Sequence, residues 1–364
     1  MKIGILGAGQ LGRMLVLAGA PLGLRFKLYD PAADAPAGQL APLSVGSFDD
    51  LDAVAAFAHD TDVVTVDWEN VPVAAARAVA GLTRMHPSPR ALAAAQDRVA
   101  EKRLFARLGI PAAPWAPVDD RAGLERAVLA VGLPGLLKSR RLGYDGKGQS
   151  LIRRRDELDA AWALLGGRPL IYERLLRFSR EVSLVAARSR NGEIALYPLA
   201  QNLHRDGMLA ISRAPFHGPA LQRQAEAYMR SLLGHLHYVG VLCLELFVVD
   251  DSLVANEIAP RVHNSGHWTI EGADTSQFEN HLRAIAGLPL GRTRARGHAV
   301  MVNLVGTMPR RRDVLALSGV HLHDYGKEPR PGRKLGHLCY VADSPRERGK
   351  AARELVRLAR PGGA

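Results

Sequence analysis

The chain is poor in cysteine, in aromatic residues and in long apolar runs. Among 364 residues there are two cysteines, Cys243 and Cys339, and aromatic residues make up 5%. Two cysteines far apart in strand-like runs argue against a disulfide framework and favour a reducing compartment. No apolar run approaches the ~18 residues that a membrane helix needs. Glycines and Arg13 interrupt the first apolar stretch, so we expect no signal peptide. These scarcities predict a cytoplasmic protein with no membrane partner.

Acidic residues are outnumbered by basic ones. The chain has 48 Lys+Arg against 36 Asp+Glu, a formal net charge of +12. Such a balance is one signature of nucleic-acid binding. However, the arginine clusters at Arg153–Arg155 and Arg310–Arg312 have no aromatic residues between them, and the other arginines are scattered. We therefore expect solvated arginines and pockets for small anions, and no nucleic-acid partner.

The length exceeds what one compact core usually holds, so two or three domains are expected. Residues 1–95 alternate strand and helix patterns, which predicts a Rossmann-like βαβ domain with a parallel sheet. Residues 96–290 begin with a connector helix and continue into two α+β units, the smaller at 115–185. Residues 291–364 read as a small strand-rich C-terminal domain with a closing helix. The predicted fold class is α/β combined with α+β.

A glycine-rich turn follows the first predicted strand. Gly7-Ala8-Gly9-Gln10-Leu11-Gly12 satisfies G-x-G-x-x-G, and Asp30 lies 18 residues after Gly12. This pattern is typical of dinucleotide binding, and alone it would indicate an NAD-dependent oxidoreductase. Any phosphate site at a helix N-terminus, or a tight strand-to-helix turn, needs the same glycines. Because later motifs indicate another chemistry, the oxidoreductase remains an alternative, and Asp30 has no assigned role.

The stretch LELFVVDDSLVANEIAP, residues 244–260, reads as a β-hairpin carrying two carboxylates. A three-residue loop, Asp250–Ser252, puts Glu245 opposite Glu257, whereas a two-residue loop puts Asn256 there with Glu257 adjacent. Like charges about 5 Å apart destabilise a sheet, so the pair predicts a cation. Mg²⁺ takes one or two carboxylates, keeps waters and completes its shell with substrate phosphates. A strained pair with one protonated glutamate is the non-functional alternative.

Upstream of this hairpin, a lysine ends a predicted strand and a glycine-rich run follows it. Lys138 can neutralise phosphate oxygens, and residues Gly143–Gly148 can fold over the same phosphates. A surface hairpin with exposed basic residues fits this run equally well. Glu173 then ends one strand and Glu181 begins another, an edge suited to adenine and ribose. The order of lysine, glycine turn, strand edge and paired glutamates predicts bound ATP with Mg²⁺.

That order resembles the ATP-grasp superfamily. The runs GAGQLGRML, LGYDGKGQ, NEIAPRVHNSGHWTIEGADTSQFENHLRAI and KEPRPGRKLGHL further resemble the N5-carboxyaminoimidazole ribonucleotide synthetase family, from Met1 to about Asp343. The resemblance implies a pre-ATP-grasp N-terminal domain, a two-subdomain ATP-grasp fold with 115–185 as lid, and a homodimer. It also implies an ATP-dependent carbon–nitrogen ligase that carboxylates 5-aminoimidazole ribonucleotide with bicarbonate, through carboxyphosphate, in purine biosynthesis. Another ATP-grasp ligase, such as formate-dependent glycinamide ribonucleotide transformylase, is the nearest alternative.

The resemblance assigns residues as well. The implied catalytic residues are Lys138, Asp145, Arg261, His263 and Lys327. The implied nucleotide contacts are Arg98, Lys138, Gly143, Tyr144, Asp145, Gly146, Lys147, Gly148, Gln149, Glu173, Arg174, Leu175, Leu176, Glu181, His204, Asn256 and Glu257. The implied substrate contacts are Gly9, Gln10, Leu11, Glu69, Tyr144, Asp145, Arg261, His263, Asn264, Lys327, Arg333 and Lys334. Glu245 and Glu257 would hold Mg²⁺. Lys147 departs from the arginine of some family members, and lysine offers a point charge without a bidentate fork.

Overall fold

The structure is a computed structural model, and it describes residues 1–143 and 148–360. The implied contact residues Tyr144, Asp145, Gly146 and Lys147 lie outside the described residues. Three β-sheets organise the chain. Within the described ranges no helix is long and apolar enough to cross a membrane.

The N-terminal region is a five-stranded parallel sheet with helices packed on it. Its elements are β1 (Lys2–Leu6), α1 (Gln10–Gly19), β2 (Arg25–Asp30), β3 (Leu43–Val45), α2 (Leu51–Ala58), β4 (Val63–Val66), α3 (Val73–Ala80) and β5 (Arg84–Met85), with 3₁₀ turns at Ala20–Leu22 and Pro36–Gln39. The strand order is β3-β2-β1-β4-β5. From β1 the chain adds β2 and β3 on one side of the sheet and then β4 and β5 on the other side, so the strand order reverses between β1 and β4. Ligands usually bind at the carboxyl ends of the strands at such a point.

Two helices connect this sheet to the rest of the chain, α4 (Pro89–Gln96) and α5 (Arg98–Arg107). Asp97 separates them because its extended backbone ends α4 while its carboxylate caps α5, accepting from the Val99 N–H at 3.0 Å. The same carboxylate accepts from the Arg140 guanidinium at 2.8 Å. The start of α5 is therefore tied to the segment that follows Lys138.

The second sheet is small and antiparallel. Its elements are β6 (Trp115–Val118), α6 (Arg121–Val131), β7 (Gly135–Ser139), β8 (Gln149–Ile152), a 3₁₀ turn (Arg155–Glu157), α7 (Leu158–Leu165) and β9 (Leu170–Arg174). The strand order is β6-β9-β7-β8. Leu124, Leu137 and Leu170 are buried in an apolar core between this sheet and its two helices. The sheet thus places Lys138 at the end of β7, beside β9.

The third sheet has nine strands and spans the rest of the chain. Its elements are β10 (Arg180–Arg188), β11 (Ile194–Leu196), β12 (Ala200–Arg205), β13 (Met208–Ala214), α8 (Pro219–His235), β14 (Gly240–Val249), β15 (Ser252–Ala259), a 3₁₀ turn (Asn264–Gly266), α9 (Thr269–Gly272), α10 (Gln277–Ala286), β16 (His298–Val305), α11 (Arg311–Leu315), β17 (Val320–Asp324), β18 (Lys334–Ala342) and α12 (Pro345–Leu358). The order is β15-β14-β10-β12-β13-β16-β18-β17, with β11 beside β10. The C-terminal strands therefore continue the sheet that carries the glutamate hairpin. Cys243 and Cys339 are free and buried.

Candidate active site

A cavity of about 430 Å³ lies where the three sheets meet. Residues from the first turn of α1, from α5, from β7 and from the β14–β15 hairpin all line it. Of the residues implied by the sequence, those lining it are Gln10, Leu11, Glu69, Arg98, Lys138, Gly143, Gln149, Glu181, His204, Glu245, Asn256, Glu257, Arg261, His263, Asn264 and Lys334. Residues more than 250 positions apart in sequence are thus brought to one space.

The β14–β15 hairpin has the two-residue loop of one predicted arrangement and the Glu245–Glu257 pairing of the other. Its loop has two residues, Asp250 and Asp251, with φ of 45° and 58°, so the three-residue loop was wrong. Glu245 nevertheless lies opposite Glu257, because the register shifts between Glu245 and Leu246. Leu246 pairs with Ala255, which leaves Asn256 as the extra residue of a β-bulge. The bulge is what brings the two glutamates into register.

Each glutamate of this pair already has a cationic partner. Glu245 Oε1 lies 2.9 Å from His263 Nε2, and Glu257 Oε2 accepts from Arg98 Nη1 at 2.9 Å. Burial alone would raise the pKa of Glu245, but His263 outweighs burial and lowers it to about 2. The Glu245 carboxylate is therefore charged at neutral pH, and both side chains offer oxygen ligands to a hard cation.

The donor set at the hairpin fits Mg²⁺ with substrate phosphates rather than a cage made of protein alone. In the described part of the chain, no group of three or more His, Cys, Asp or Glu side chains is arranged to hold a metal ion. An ion that keeps waters and binds phosphate oxygens needs only one or two carboxylates, and Asn256 adds an amide oxygen nearby. The residues present are consistent with that kind of site.

Helix α5 clamps the backbone on both sides of Glu257. Lys102 Nζ donates to the carbonyl of the bulge residue Asn256 at 2.6 Å. Glu101 Oε1 accepts from the Ile258 N–H at 2.7 Å. Burial raises the pKa of Glu101 to about 8. Sequence reasoning missed Glu101 and Lys102, since charged residues within a helix usually face solvent and nothing in the pattern indicated their burial.

Lys138 is buried at the cavity wall and paired. Its Nζ donates to Glu173 Oε2 at 2.9 Å, and burial lowers its pKa. The other oxygen of Glu173 lies 4.0 Å from Lys102 Nζ and has no hydrogen-bond partner among the described residues. Burial would raise the pKa of Glu173, but the two lysines lower it to about 2. Glu173 therefore stands behind Lys138 and fixes its ammonium group.

The end of β9, which the sequence assigned to the adenine, lies beside the small sheet. Arg174 donates through Nη1 to the Val131 carbonyl at 3.0 Å, so its guanidinium is directed at α6. The Leu175 N–H donates to the Pro134 carbonyl at 3.0 Å. The nucleotide contacts of Glu173, Arg174, Leu175 and Leu176 stay predictions.

An aromatic pair and a histidine–carboxylate pair flank the opposite wall of the cavity. Phe178 and Phe247 stack with ring centroids 4.5 Å apart, and both line the cavity. Glu181 on β10 accepts from His204 on the neighbouring β12. The sequence singled out Glu181 and His204, whereas Phe178 and Phe247 were missed because isolated phenylalanines read as ordinary core residues.

Arg261 and His263 form the wall nearest the N-terminal sheet. Arg261 Nε donates to Glu69, and its Nη1 donates to the Val262 carbonyl at 3.0 Å. Burial would raise the pKa of Glu69, but Arg261 lowers it to about 2. Burial would lower the pKa of His263, but Cys243 and Glu245 raise it to about 10, so the ring is protonated. Its Nδ1 lies 2.8 Å from Ser265 Oγ and its Nε2 lies 2.9 Å from Glu245 Oε1. Both side chains are thus held in one orientation.

Four further residues that the resemblance assigned to catalysis or substrate binding differ in whether they line the cavity. Lys334 lines the cavity and Asn264 does too, with its Oδ1 buried and unpartnered among the described residues. Lys327 donates to Gln10 Oε1 from just outside the lining, and Arg333 donates to the Glu328 carbonyl at 3.2 Å. Burial lowers the pKa of Lys327 to about 8.

Three family comparisons cover most of the chain. Residues 103–278 match the ATP-grasp domain, residues 1–96 the ribonucleotide synthetase preATP-grasp domain, and residues 299–351 the phosphoribosylaminoimidazole carboxylase C-terminal domain. Together with the cavity between the sheets and the glutamate hairpin, they define an ATP-grasp protein, and the predicted fold class is confirmed.

Individual relatives narrow the class. The N5-carboxyaminoimidazole ribonucleotide synthase of Pseudomonas aeruginosa is 49% identical over 337 residues, 93% of each chain. The crystal structure of the Thermus thermophilus synthetase superposes with a TM-score of 0.94, at 52% identity over 98% of each chain. That of the Aspergillus clavatus synthase, in complex with ADP and 5-aminoimidazole ribonucleotide, gives 0.92 at 31% identity over 98% of each. The chain belongs to the N5-carboxyaminoimidazole ribonucleotide synthase family. These relatives do not support the oxidoreductase or transformylase alternatives.

Proposed function

We propose that the protein uses ATP and bicarbonate to carboxylate the exocyclic amine of 5-aminoimidazole ribonucleotide, as a step of purine biosynthesis. The observation that carries the proposal is the cavity itself, where a buried lysine, the paired glutamates Glu245 and Glu257, and the Arg261–His263 wall face one space. That arrangement can hold a phosphate donor at one end and an anionic acceptor at the other. The names of the relatives supply the identity of the acceptor.

In the first step a bicarbonate oxygen attacks the γ-phosphorus of ATP, ADP leaves, and carboxyphosphate forms. Lys138, fixed by Glu173, spreads the charge that develops on the transferred phosphoryl group, and its burial strengthens that interaction. Glu245 and Glu257 would hold Mg²⁺, which would supply positive charge against the phosphate groups. Arg98 lines the same end of the cavity, beside Glu257.

In the second step carboxyphosphate breaks down to CO₂ and phosphate, and the amine nitrogen forms its new bond to that carbon. Arg261 offers Nη2, which has no partner among the described residues, to the carboxylate that results. His263, fixed by Ser265 and Glu245, is already protonated and orients the amine. By resemblance, Asp145 also orients the amine or takes the proton that it loses.

The remaining assignments belong to the same proposal. Glu181, with His204 beside it, receives the ribose hydroxyls, and the segment from Gly143 to Gln149 covers the phosphates. Lys327, Arg333 and Lys334 supply positive charge for the ribonucleotide phosphate. We infer also that the protein acts in the cytoplasm as a homodimer, which sedimentation analysis would test.

ADP release measured with ATP, Mg²⁺ and bicarbonate, with and without the ribonucleotide, tests this function. We expect release to rise at least tenfold with 5-aminoimidazole ribonucleotide and to fall to background without bicarbonate. A matched reaction with formate in place of bicarbonate and glycinamide ribonucleotide as acceptor provides the control. Release that ignores the aminoimidazole ribonucleotide would overturn the assigned substrate, and formate dependence would establish the transformylase instead.

A further inference from the structure

The proposed chemistry does not explain why the G-x-G-x-x-G motif has glycine at all three positions, and the structure supplies a reason. The side chain of Asp67, at the end of β4, lies directly beneath the glycine turn. A Cβ added at Gly7 would lie 2.5 Å from Asp67 Oδ1, and one at Gly9 2.9 Å from Oδ2. A Cβ added at Gly12 would lie 3.1 Å from Oδ2. All three glycines of the motif are therefore required by one buried aspartate.

Carboxylates also occupy backbone donors that a dinucleotide phosphate would use. The Gly12 N–H donates to Asp67 Oδ2 at 2.9 Å, and the Ala8 N–H donates to Asp30 Oδ2 at 2.7 Å. In a dinucleotide site such N–H groups at the start of the helix face the pyrophosphate. Two carboxylates beside this turn would repel a phosphate there. The turn is closed by the protein's own side chains, which gives Asp30 a role as well.

The closed turn presents Gln10 to the cavity. Gln10 begins α1, lines the cavity, and accepts from the Lys327 ammonium through Oε1. Lys327 comes from the segment between β17 and β18, so this contact joins the first and last parts of the chain. A second contact supports it, because Gln39 Nε2 donates to the Gly326 carbonyl at 3.3 Å. The position of Lys327 therefore depends on the shape of the glycine turn.

Asp67 is also joined through the chain to the other side of the substrate wall. Two residues after it, Glu69 pairs with Arg261. The charges of Arg261 and Lys327 both act on the Asp67 carboxylate. The short segment from Asp67 to Glu69 therefore acts on two cationic side chains. Glu69 pairs with Arg261 directly, and Asp67 acts on Lys327 through the glycine turn and Gln10.

We propose that Asp67 is a positioning residue for the ribonucleotide: it fixes the glycine turn, and through Gln10 it holds Lys327 where the substrate binds. This inference rests on the proposed function. It assigns the motif to the acceptor, with no part in holding ATP or a dinucleotide.

Asp67→Asn tests the inference, since asparagine fills the same space beneath the glycines but lacks the charge. We expect the KM for 5-aminoimidazole ribonucleotide to rise about tenfold or more, while the KM for ATP stays within twofold. Gln10→Ala should raise the ribonucleotide KM in the same way. The double variant should add little to either single change, because both act on one contact chain.

The matched control is Asp62→Asn, at the opposite end of β4. Asp62 Oδ2 also accepts a backbone N–H, from Lys2 at 2.6 Å, but lies away from the cavity, so neither KM should change. A folded Asp67→Asn protein with an unchanged ribonucleotide KM, or with both KM values raised equally, overturns the inference. If Asp67→Asn does not fold, Gln10→Ala decides alone, and an unchanged KM overturns it. Wild-type turnover that ignores the ribonucleotide overturns the proposed function and this inference together.

Discussion

Glu257 is the single residue on which most contacts of the site converge. Arg98 pairs with its carboxylate, and the neighbouring backbone is held by Lys102 on one side and Glu101 on the other. A side chain paired with an arginine and carried on a backbone fixed on both sides loses little conformational freedom when it binds a cation, which favours binding.

Glu257→Gln keeps the size of the side chain and removes its charge. We expect turnover to fall about a hundredfold and the Mg²⁺ concentration for half-maximal rate to rise. The reason is that weaker Mg²⁺ binding leaves the negative charge on the transferred phosphoryl group less neutralised. ADP release measured across a Mg²⁺ series checks this. Glu193→Gln, an exposed carboxylate on a turn, is the control and should match wild type. Wild-type turnover by Glu257→Gln at ordinary Mg²⁺ would contradict the metal assignment.

Single residues differ in how far the sequence alone could place them. Glu245 and Glu257 were predictable because a strand pattern fixes which side chains share a face. Lys102 and Asp67 were not, because a buried charge depends on partners distant in sequence: the Asn256 carbonyl for one and the Gly12 N–H for the other. Short-range patterns carry no record of such contacts.

At the scale of elements, α5 and the β14–β15 hairpin act together. A β-bulge costs a ladder position, and here the carbonyl of its extra residue is satisfied by Lys102. The helix begins at Asp97, which also binds Arg140 just after Lys138. One helix therefore sets the β14–β15 hairpin and the end of β7 relative to each other.

Lys102→Met tests this coupling, since methionine fits a buried, unbranched side chain but cannot hold the Asn256 carbonyl. We expect turnover to fall about tenfold and half-maximal Mg²⁺ to rise, with a loss of about 1–3 kcal/mol in the free energy of unfolding. Arg103→Met makes a comparable change at the next, exposed position and should leave both kinetic values unchanged. An unaltered Mg²⁺ dependence in Lys102→Met would show that the clamp does not position Glu257.

Most elements of the fold were predictable, and their exact pairing was not. Alternating strand and helix patterns give the N-terminal sheet, and RFKLYD coincides with β2. The hairpin register depended on a two-residue turn plus a bulge at Asn256, and the bulge is stable because α5 lies against it. Helix α4 was missed, since PRALAAAQ has few apolar residues large enough to show a helical period.

At the scale of the whole molecule, two buried histidines, His267 and His337, and the half-buried His323 join the active-site segment to the C-terminal strands. His323 and His337 stack with centroids 4.3 Å apart, and His267 lies 4.9 Å from His337. Tyr325 binds His337 Nδ1 at 2.8 Å, and Glu271 lies 2.7 Å from His323 Nε2. Burial holds the pKa of His267 and His337 well below the usual value, so both rings are neutral in the folded protein.

This cluster predicts a loss of stability in acid. The unfolded chain protonates these histidines near pH 6.5 whereas the folded protein does not, so their stabilising effect is complete above pH 6.5 and falls as the pH drops below it. We expect the thermal midpoint to fall by several degrees between pH 7.5 and 5.5, and His337→Asn to reduce that fall. Exposed His217→Asn should not. An equal fall in wild type and His337→Asn would contradict the prediction.

Because the nine-stranded sheet is continuous, the C-terminal strands cannot be removed without exposing a strand edge. β13 pairs with β16, so the C-terminal strands are neighbours of the sheet that carries Glu245 rather than a separate attachment. A chain shortened before His298 would leave β13 as an open edge, with unpaired N–H and C=O groups that invite intermolecular strand pairing. The C-terminal strands β16–β18 therefore protect the rest of the sheet from self-association. If these strands were lost or exchanged in evolution, another element would have to cover the edge of β13.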